Sequence, residues 1–121
     1  MDERETGTPP LSAIDFHVLM VLAEDSSYGY AIMKAVAAHS GGAVRPGIGS
    51  LYRVLSRLTE TEWVEEVKAP PGARLGRRGL PRRYYALTVA GRAVALAEAR
   101  RLARVVALAR ERDLLPEGGA R

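Results

Sequence analysis

The chain has 121 residues, of which 47% are hydrophobic and 26% charged, and a net charge of +4. This is one domain's worth of ordinary globular composition, which excludes wholesale disorder and a coiled-coil rod and leaves no room for a second independent domain. With no cysteine present, disulfides, thiolate chemistry and cysteine metal sites are excluded together. The longest apolar run, Val18 to Ala23, is six residues, far short of the roughly 20 a membrane-spanning helix needs, so no membrane partner is expected. The opening MDERETGTPP is charged and polar where a secretory signal carries an apolar core, so a cytoplasmic location is expected.

Residues 1–10 end in a proline pair and offer almost nothing to bury, which predicts a disordered leader. Ser12 with Asp15 makes a capping-box-like start to a first helix, whose apolar density (FHVLMVLAE) predicts burial on most sides. Asp25, Ser26 and Ser27 interrupt the pattern. A second helix is expected over Tyr28 to Ser40, with Ile32, Met33, Val36 and Ala37 at helical spacing, Ser26 or Ser27 as N-cap and Gly41-Gly42 as the stop.

A third helix is expected from near Gly49 or Ser50 to about Thr61. Leu51, Leu55 and Leu58 form one stripe, and Ser50, Arg53 and Arg57 fall on the other side. Trp63, Val64 and Val67 suggest a strand, and Arg82 to Leu87 a second one, in which Tyr84 and Tyr85 are expected to face opposite ways, one buried and one exposed. Residues 69–81 between them are rich in glycine, proline and arginine, a connection long enough to suggest a functional or mobile loop.

Thr88 is the expected cap of a last helix reaching Leu115, ahead of a flexible tail over residues 116–121. Leu96, Leu102 and Val106 lie in one apolar sector of this helix, Val94, Val105 and Leu108 in another, with Arg100, Arg104 and Glu111 as a narrow polar strip. A helix apolar on two sides needs two neighbours. The chain's own core supplies one, so a second subunit is expected to cover Leu96, Leu102, Val105, Val106 and Leu108.

Charge is unevenly spread. From Val67 to Ala97 there is no acid, while Lys68, Arg74, Arg77, Arg78, Arg82, Arg83 and Arg92 supply seven positive charges, which against a total of +4 leaves the rest at −3. Such a localised field attracts polyanions. Three helices followed by a two-stranded ribbon with a basic loop is the order of a winged helix-turn-helix, in which the third helix enters the major groove and the wing tracks the backbone. The expected fold is therefore mainly α with a small β-ribbon: a winged helix-turn-helix domain over residues 11–87 and a long C-terminal dimerisation helix over 88–115. Ser50, Tyr52, Arg53 and Arg57 are the candidates for contacting base edges and phosphates, and Arg77, Arg78, Arg82 and Arg83 for sequence-independent attraction to double-stranded DNA.

The same residues carry a family resemblance. Gly29-Tyr30, Pro46-Gly47, Ser50-Leu51-Tyr52, Arg57-Leu58 and Arg82 to Thr88 followed by Gly91 resemble, in this order, the PadR-type transcriptional regulators of the short branch with a single C-terminal dimerisation helix. The resemblance covers roughly Leu11 to Leu115. It implies a homodimeric repressor on a pseudo-palindromic operator, released in some members by a small effector such as a phenolic acid or an amphipathic drug. Three departures stand out, the first being Arg53 on the third helix where the family commonly has proline, which adds a candidate DNA contact. Glu62 occupies the place where the family has glycine after the third helix, and a left-handed conformation there costs about 1 kcal/mol for a non-glycine residue. No tryptophan lies on the last helix, where some multidrug-binding members stack ligands, which argues against a drug-binding pore.

Several features have plainer readings. Gly29 is expected to permit a close helix approach and Tyr30 to fill a gap between helices. Tyr52 lies on the flank of its helix, where packing and DNA contact compete, and Ser50 can serve as an N-cap. His17 reads as a core or interface residue. Two distant histidines without cysteine or an acidic cluster make no metal site. Gly47-Ile48-Gly49 is not a dinucleotide loop, and the adjacent Glu65 and Glu66 point to opposite faces of a strand, so neither cofactor nor catalysis is expected. An effector would sit where the last helices of two subunits meet the first helix. Phe16, Met20, Leu96 and Val106 are the candidate lining residues, against the more economical reading that they are plain core. The alternative function is a protein-interaction module on the same fold without specific DNA binding.

Overall fold

A computed structural model describes residues 10–116; nearly all of the expected leader and tail lie outside them. The elements are α1 (Ala13–Glu24), β1 (Ser27–Tyr28), α2 (Gly29–His39), α3 (Ile48–Glu60), β2 (Val64–Val67), β3 (Tyr84–Leu87) and α4 (Val89–Glu111), with a 3-10 turn at Arg77–Gly79. The expected winged-helix order is present. Among the described residues no helix is long and apolar enough to cross a membrane.

The core is formed by Val18, Leu19, Val21 and Leu22 of α1, Ile32 and Val36 of α2, Leu51, Val54, Leu55 and Leu58 of α3, and Val64 and Tyr85 of the sheet. Ser12 caps α1 as expected, its Oγ accepting the Asp15 N–H at 3.1 Å. Asp15 does not return the bond in a capping box, because its carboxylate is bound elsewhere. Ser26 and Ser27 do not cap α2. Ser27 and Tyr28 instead form a third strand on β3, with Ser27 opposite Tyr85 and Tyr28 opposite Tyr84, giving the antiparallel order β1-β3-β2. This makes β3 a central strand and corrects the expectation for its tyrosines. Both are buried: Tyr85 enters the core, while Tyr84 on the other face is covered by the Tyr28 ring, with centroids 5.4 Å apart.

Three helices end alike. In α2, the Gly42 N–H reaches Ala37 O at 2.8 Å and the Gly41 N–H reaches Ala38 O at 3.1 Å, a Schellman closure with Gly41 at φ 63°. At the end of α3 the Trp63 N–H reaches Leu58 O and the Glu62 N–H reaches Thr59 O, both at 3.0 Å. The family's glycine position is thus held left-handed by Glu62 at φ 66°. In α4, Asp113 at φ 61° plays the same part, with the Leu114 N–H on Ala109 O at 2.9 Å. The helix therefore stops at Glu111, short of the expected Leu115: the left-handed turn at Asp113 ends it before Pro116 does.

Helix α4 starts on the expected Thr88 cap, whose Oγ accepts the Gly91 N–H at 2.9 Å. Only Gly91 and Glu98 are buried along it. Val94 and Ala95 pack against the core edge; beyond Glu98 no described residue is buried. Glu98 is 2% exposed, paired through both oxygens with Arg101 at 2.9 and 2.7 Å, and accepts the Leu11 N–H at 3.3 Å. Arg101's hydrogen bonds hold its pKa below the ordinary carboxylate value, aided by the Leu11 N–H and opposed by burial.

Two outcomes follow for stability. Glu62→Gly should stabilise the fold by about 0.5–1 kcal/mol in denaturant titration, the released left-handed strain exceeding glycine's entropic cost; a loss of stability would show that the Glu62 side chain has a compensating role. Because the folded pKa of Glu98 is depressed, its contribution is complete above the unfolded carboxylate value and is lost as pH falls through the folded one. Thermal melts from pH 7 down to pH 3 should therefore show a shallower acid limb for Glu98→Gln than for wild type, and equal slopes would refute the assignment.

Candidate nucleic-acid interface

Helices α2 and α3 are joined by eight residues, Ser40 to Gly47, longer than a tight helix-turn-helix turn. Val44 within this connection is pinned by its N–H to Ser40 Oγ at 2.9 Å and packs on the core. Helix α3 begins two residues before Ser50, with Gly47 at the N-cap position, so Ser50 is not the cap. Its Oγ accepts from Arg53 Nη2 at 3.1 Å. The leucine stripe is fully inside, and Gly49, Tyr52, Arg53, Ser56, Arg57 and Glu60 form a shallow open surface along the other side.

The four candidates on α3 differ in what they touch. Arg53 is exposed, and Ser50 is its one hydrogen-bond partner among the described residues. Arg57 is bound by both carboxylate oxygens of Asp15 at 2.8 and 2.9 Å, a hydrogen bond that raises the guanidinium pKa further. Asp15 itself is only 7% exposed. This pair ties α3 to the first turn of α1. Tyr52 is half in and half out: it is 40% exposed, but its phenol lies against Gly29, where a Cβ would come within 2.5 Å of the Tyr52 hydroxyl oxygen. Gly29 permits close approach as expected, to a side chain of α3. Tyr30 fills no gap. It is 54% exposed, with Lys34 Nζ 5.5 Å from its ring centroid.

The wing runs from β2 to β3. Its tip turns through Arg78 at φ 59° and Gly79 at φ 72°, closed by the Gly76 N–H to Leu80 O at 2.6 Å. Arg74, Arg77 and Arg78 are exposed and have no acidic partner among the described residues. Arg83 is paired with Glu66 across the sheet at 2.9 and 3.2 Å, which lowers the Glu66 pKa and raises that of Arg83. Arg82 is stacked over the Tyr28 ring at 4.1 Å. A cleft of about 460 Å³ separates wing from helices, with Ile48 and Tyr52 of α3 on one side, Arg77, Leu80 and Arg82 on the other, and Tyr28 and Tyr30 between them. The outward face of α3 and the wing arginines are thus neighbours.

Sequence reasoning missed Asp15, Tyr28 and Gly76 as supports of this surface. Only the pairing of Asp15 with the basic face of α3 had a sequence signal, since a buried acid near a helix start needs a cation. The candidate dimer residues Leu96, Val105 and Leu108 are about half exposed, at 49%, 48% and 50%, and Leu102 and Val106 are half-buried. Of the effector candidates, Met20 and Leu96 are exposed and Phe16 and Val106 half-buried. None of these four belongs to the core cluster among the described residues.

The sequence model of the transcriptional regulator PadR-like family matches residues 18–97, and no curated protein matches the chain in sequence. Among solved structures, a transcriptional regulator from Clostridium thermocellum is 17% identical with TM-score 0.64, over 92% of this chain and 96% of its own. A PadR family regulator from Clostridium difficile is 19% identical with TM-score 0.66, over 83% and 97%. Bacillus subtilis PadR in complex with operator DNA is 20% identical with TM-score 0.54, over 67% of this chain and 43% of its own. These likenesses carry the fold, and the family is one of regulators and not of enzymes. With more than half of its length matched by the family model, the chain belongs to the PadR-like family of transcriptional regulators.

Proposed function

We propose that the chain acts in the cytoplasm as a homodimeric, sequence-specific DNA-binding repressor. Helix α3 enters the major groove and the wing tracks the adjacent backbone. The observation that carries this reading is the sorting of the arginines: Arg53 on α3 and Arg74, Arg77 and Arg78 on the wing stand on neighbouring surfaces without acidic partners among the described residues, whereas Arg57 and Arg83 are already paired with Asp15 and Glu66. Ser50, Tyr52 and Arg53 are assigned to the base edges, and Arg77 and Arg78 to phosphates. Arg57 and Arg83 add positive field and hold the scaffold. Solved Bacillus subtilis PadR with operator DNA supports the choice of partner.

Dimerisation is assigned to α4 from Leu96 onward, where Leu96, Val105 and Leu108 are about half exposed and Leu102 and Val106 only half-buried. Two α3 helices then address half-sites about 34 to 36 Å apart on a pseudo-palindrome. A small apolar or phenolic effector is placed where α1 and α4 of both subunits meet, against Phe16, Met20, Leu96 and Val106.

The deciding experiment is a footprint on DNA immediately upstream of the protein's own gene, repeated over a salt series. Binding should weaken with a log-log slope of about −0.9 per neutralised phosphate. Arg77→Ala with Arg78→Ala should weaken all duplexes alike and flatten the slope by about 1.8, whereas Arg53→Ala should relax sequence preference. A dimer without DNA affinity at about 50 mM salt, conditions under which such contacts are strong, would favour the interaction-module reading instead. Leu108→Asp should convert the dimer to monomer in sedimentation and abolish the footprint; a dimer that survives it would remove α4 from the interface.

A further inference from the structure

Arg82 differs from its neighbours in what it touches. Its side chain is half-buried. The guanidinium covers the Tyr28 ring at 4.1 Å, and the stem runs against Gly76, where a Cβ would come within 3.1 Å of Arg82 Cγ. Gly76 closes the wing tip. Tyr28 pairs with Tyr84 in the sheet and immediately precedes the first residue of α2. Arg82 is therefore wedged between the wing tip and the strand that leads into the helix-turn-helix.

Little else holds the wing loop there. The backbone hydrogen bonds of the tip, Ala73 to Pro70, Gly76 to Leu80, Gly79 to Gly76 and Leu80 to Arg77, all join loop residues to one another. Leu75 and Leu80 are exposed, and Leu80 only lines the open cleft that faces α3. A loop closed only on itself is free to swing about its strand ends, and ordering it on binding opposes affinity.

We propose that Arg82 is a positioning residue, whose stack on Tyr28 fixes the wing beside the first turn of α3, and not a phosphate contact. Its effect on affinity rests on the DNA-binding reading, whereas its hold on the wing is a property of the free protein. A guanidinium over a ring at a partly exposed site shifts an equilibrium about two- to fivefold. Removing it leaves Arg77 and Arg78 in place, so the number of phosphates neutralised in the complex is unchanged.

The test compares Arg82→Met, which keeps the stem and deletes the guanidinium, with Tyr28→Leu, their double variant, and Tyr28→Phe as the control that keeps a ring. Hydrogen exchange of amides 72–81 is read in the free protein, and affinity for the upstream duplex is read over a salt series. Arg82→Met and Tyr28→Leu should each accelerate exchange and weaken binding by about two- to fivefold, with the salt slope unchanged. The double variant should be no worse than either, and Tyr28→Phe should match wild type. A slope flattened by about 0.9 in Arg82→Met with Tyr28→Leu silent would make Arg82 a phosphate contact and overturn the proposal. Unchanged exchange in both variants, or faster exchange without weaker binding, would overturn it too. If wild type binds no duplex while exchange responds as expected, the DNA-binding reading fails and the anchoring of the wing stands.

Discussion

Two backbone carbonyls set the geometry of the molecule. At the exit of α3, Glu62 O accepts the Thr88 hydroxyl at 2.6 Å, and Trp63 O accepts the Thr88 N–H at 3.1 Å. Gly91, one turn into α4, is pressed so closely on the Trp63 carbonyl that a Cβ there would overlap it and crowd Leu87. The end of α3, the start of β2, the end of β3 and the start of α4 therefore meet at one node. Each hydrogen bond in it contributes only about 0.5–1.5 kcal/mol. What matters more is that the node is over-determined, because a Schellman closure, a helix cap and a glycine contact all fix the same few residues. That is why the left-handed Glu62 persists: the local strain of about 1 kcal/mol is small against the contacts that would be lost by relaxing it.

The arginines follow a similar logic of prior commitment. The Arg83–Glu66 pair is well exposed on both sides, so its contribution to stability is small, and its effect is to align the base of the wing. The Arg57–Asp15 pair is asymmetric, with a half-exposed cation on a buried acid. Deleting Arg57 leaves a buried carboxylate without compensation, a far more serious loss than deleting an exposed partner. A defect in an Arg57 variant would therefore report α1 slipping from α3 before it reported any lost contact to DNA. Arg92 is committed as well, through a 3.3 Å bond to Ala23 O. Of the seven basic residues between Val67 and Ala97, Lys68 at the end of β2 and Arg74, Arg77 and Arg78 of the wing loop carry the charge uncommitted among the described residues.

What was legible in the sequence follows from the range of each interaction. The three helices, the Thr88 cap, the Gly41-Gly42 stop and the leucine stripe of α3 depend on residues within a turn or two, and pattern alone locates them. A two-residue strand has no period to detect, so β1 was invisible, and with it the cover that buries Tyr84. Asp15 with Arg57 spans 42 residues and Leu11 with Glu98 spans 87. Asp15 has at best its place at a helix start as a hint, and nothing local marks Glu98 as buried. The end of α4 falls short of Leu115 because an aspartate in a left-handed turn leaves a weaker mark in sequence than a proline. Tyr30 departs from expectation for the opposite reason: an aromatic side chain suggests burial, yet here it is exposed, beside Lys34 and at the edge of the cleft.

The same node bears on how such a molecule is regulated. Helix α4 is held at its base by Thr88 and Gly91 and again by Glu98, whose carboxylate reaches both Arg101 and the chain ahead of α1. Between these two points it cannot pivot without breaking a cap, opening a glycine contact or stranding a buried acid. Beyond Glu98 none of its apolar side chains is buried, and in the proposed dimer the partner is met chiefly there, with Leu96 just ahead of Glu98 at the edge of the contact. A change in the relation of two subunits is therefore cheapest as a rigid-body shift across the distal interface, because side-chain repacking there breaks no buried polar bond. Since α3 and the base of α4 are joined through Glu62 and Trp63, any such shift carries the two α3 helices with it undiminished. A molecule built this way would alter the separation of its reading helices without altering either reading surface.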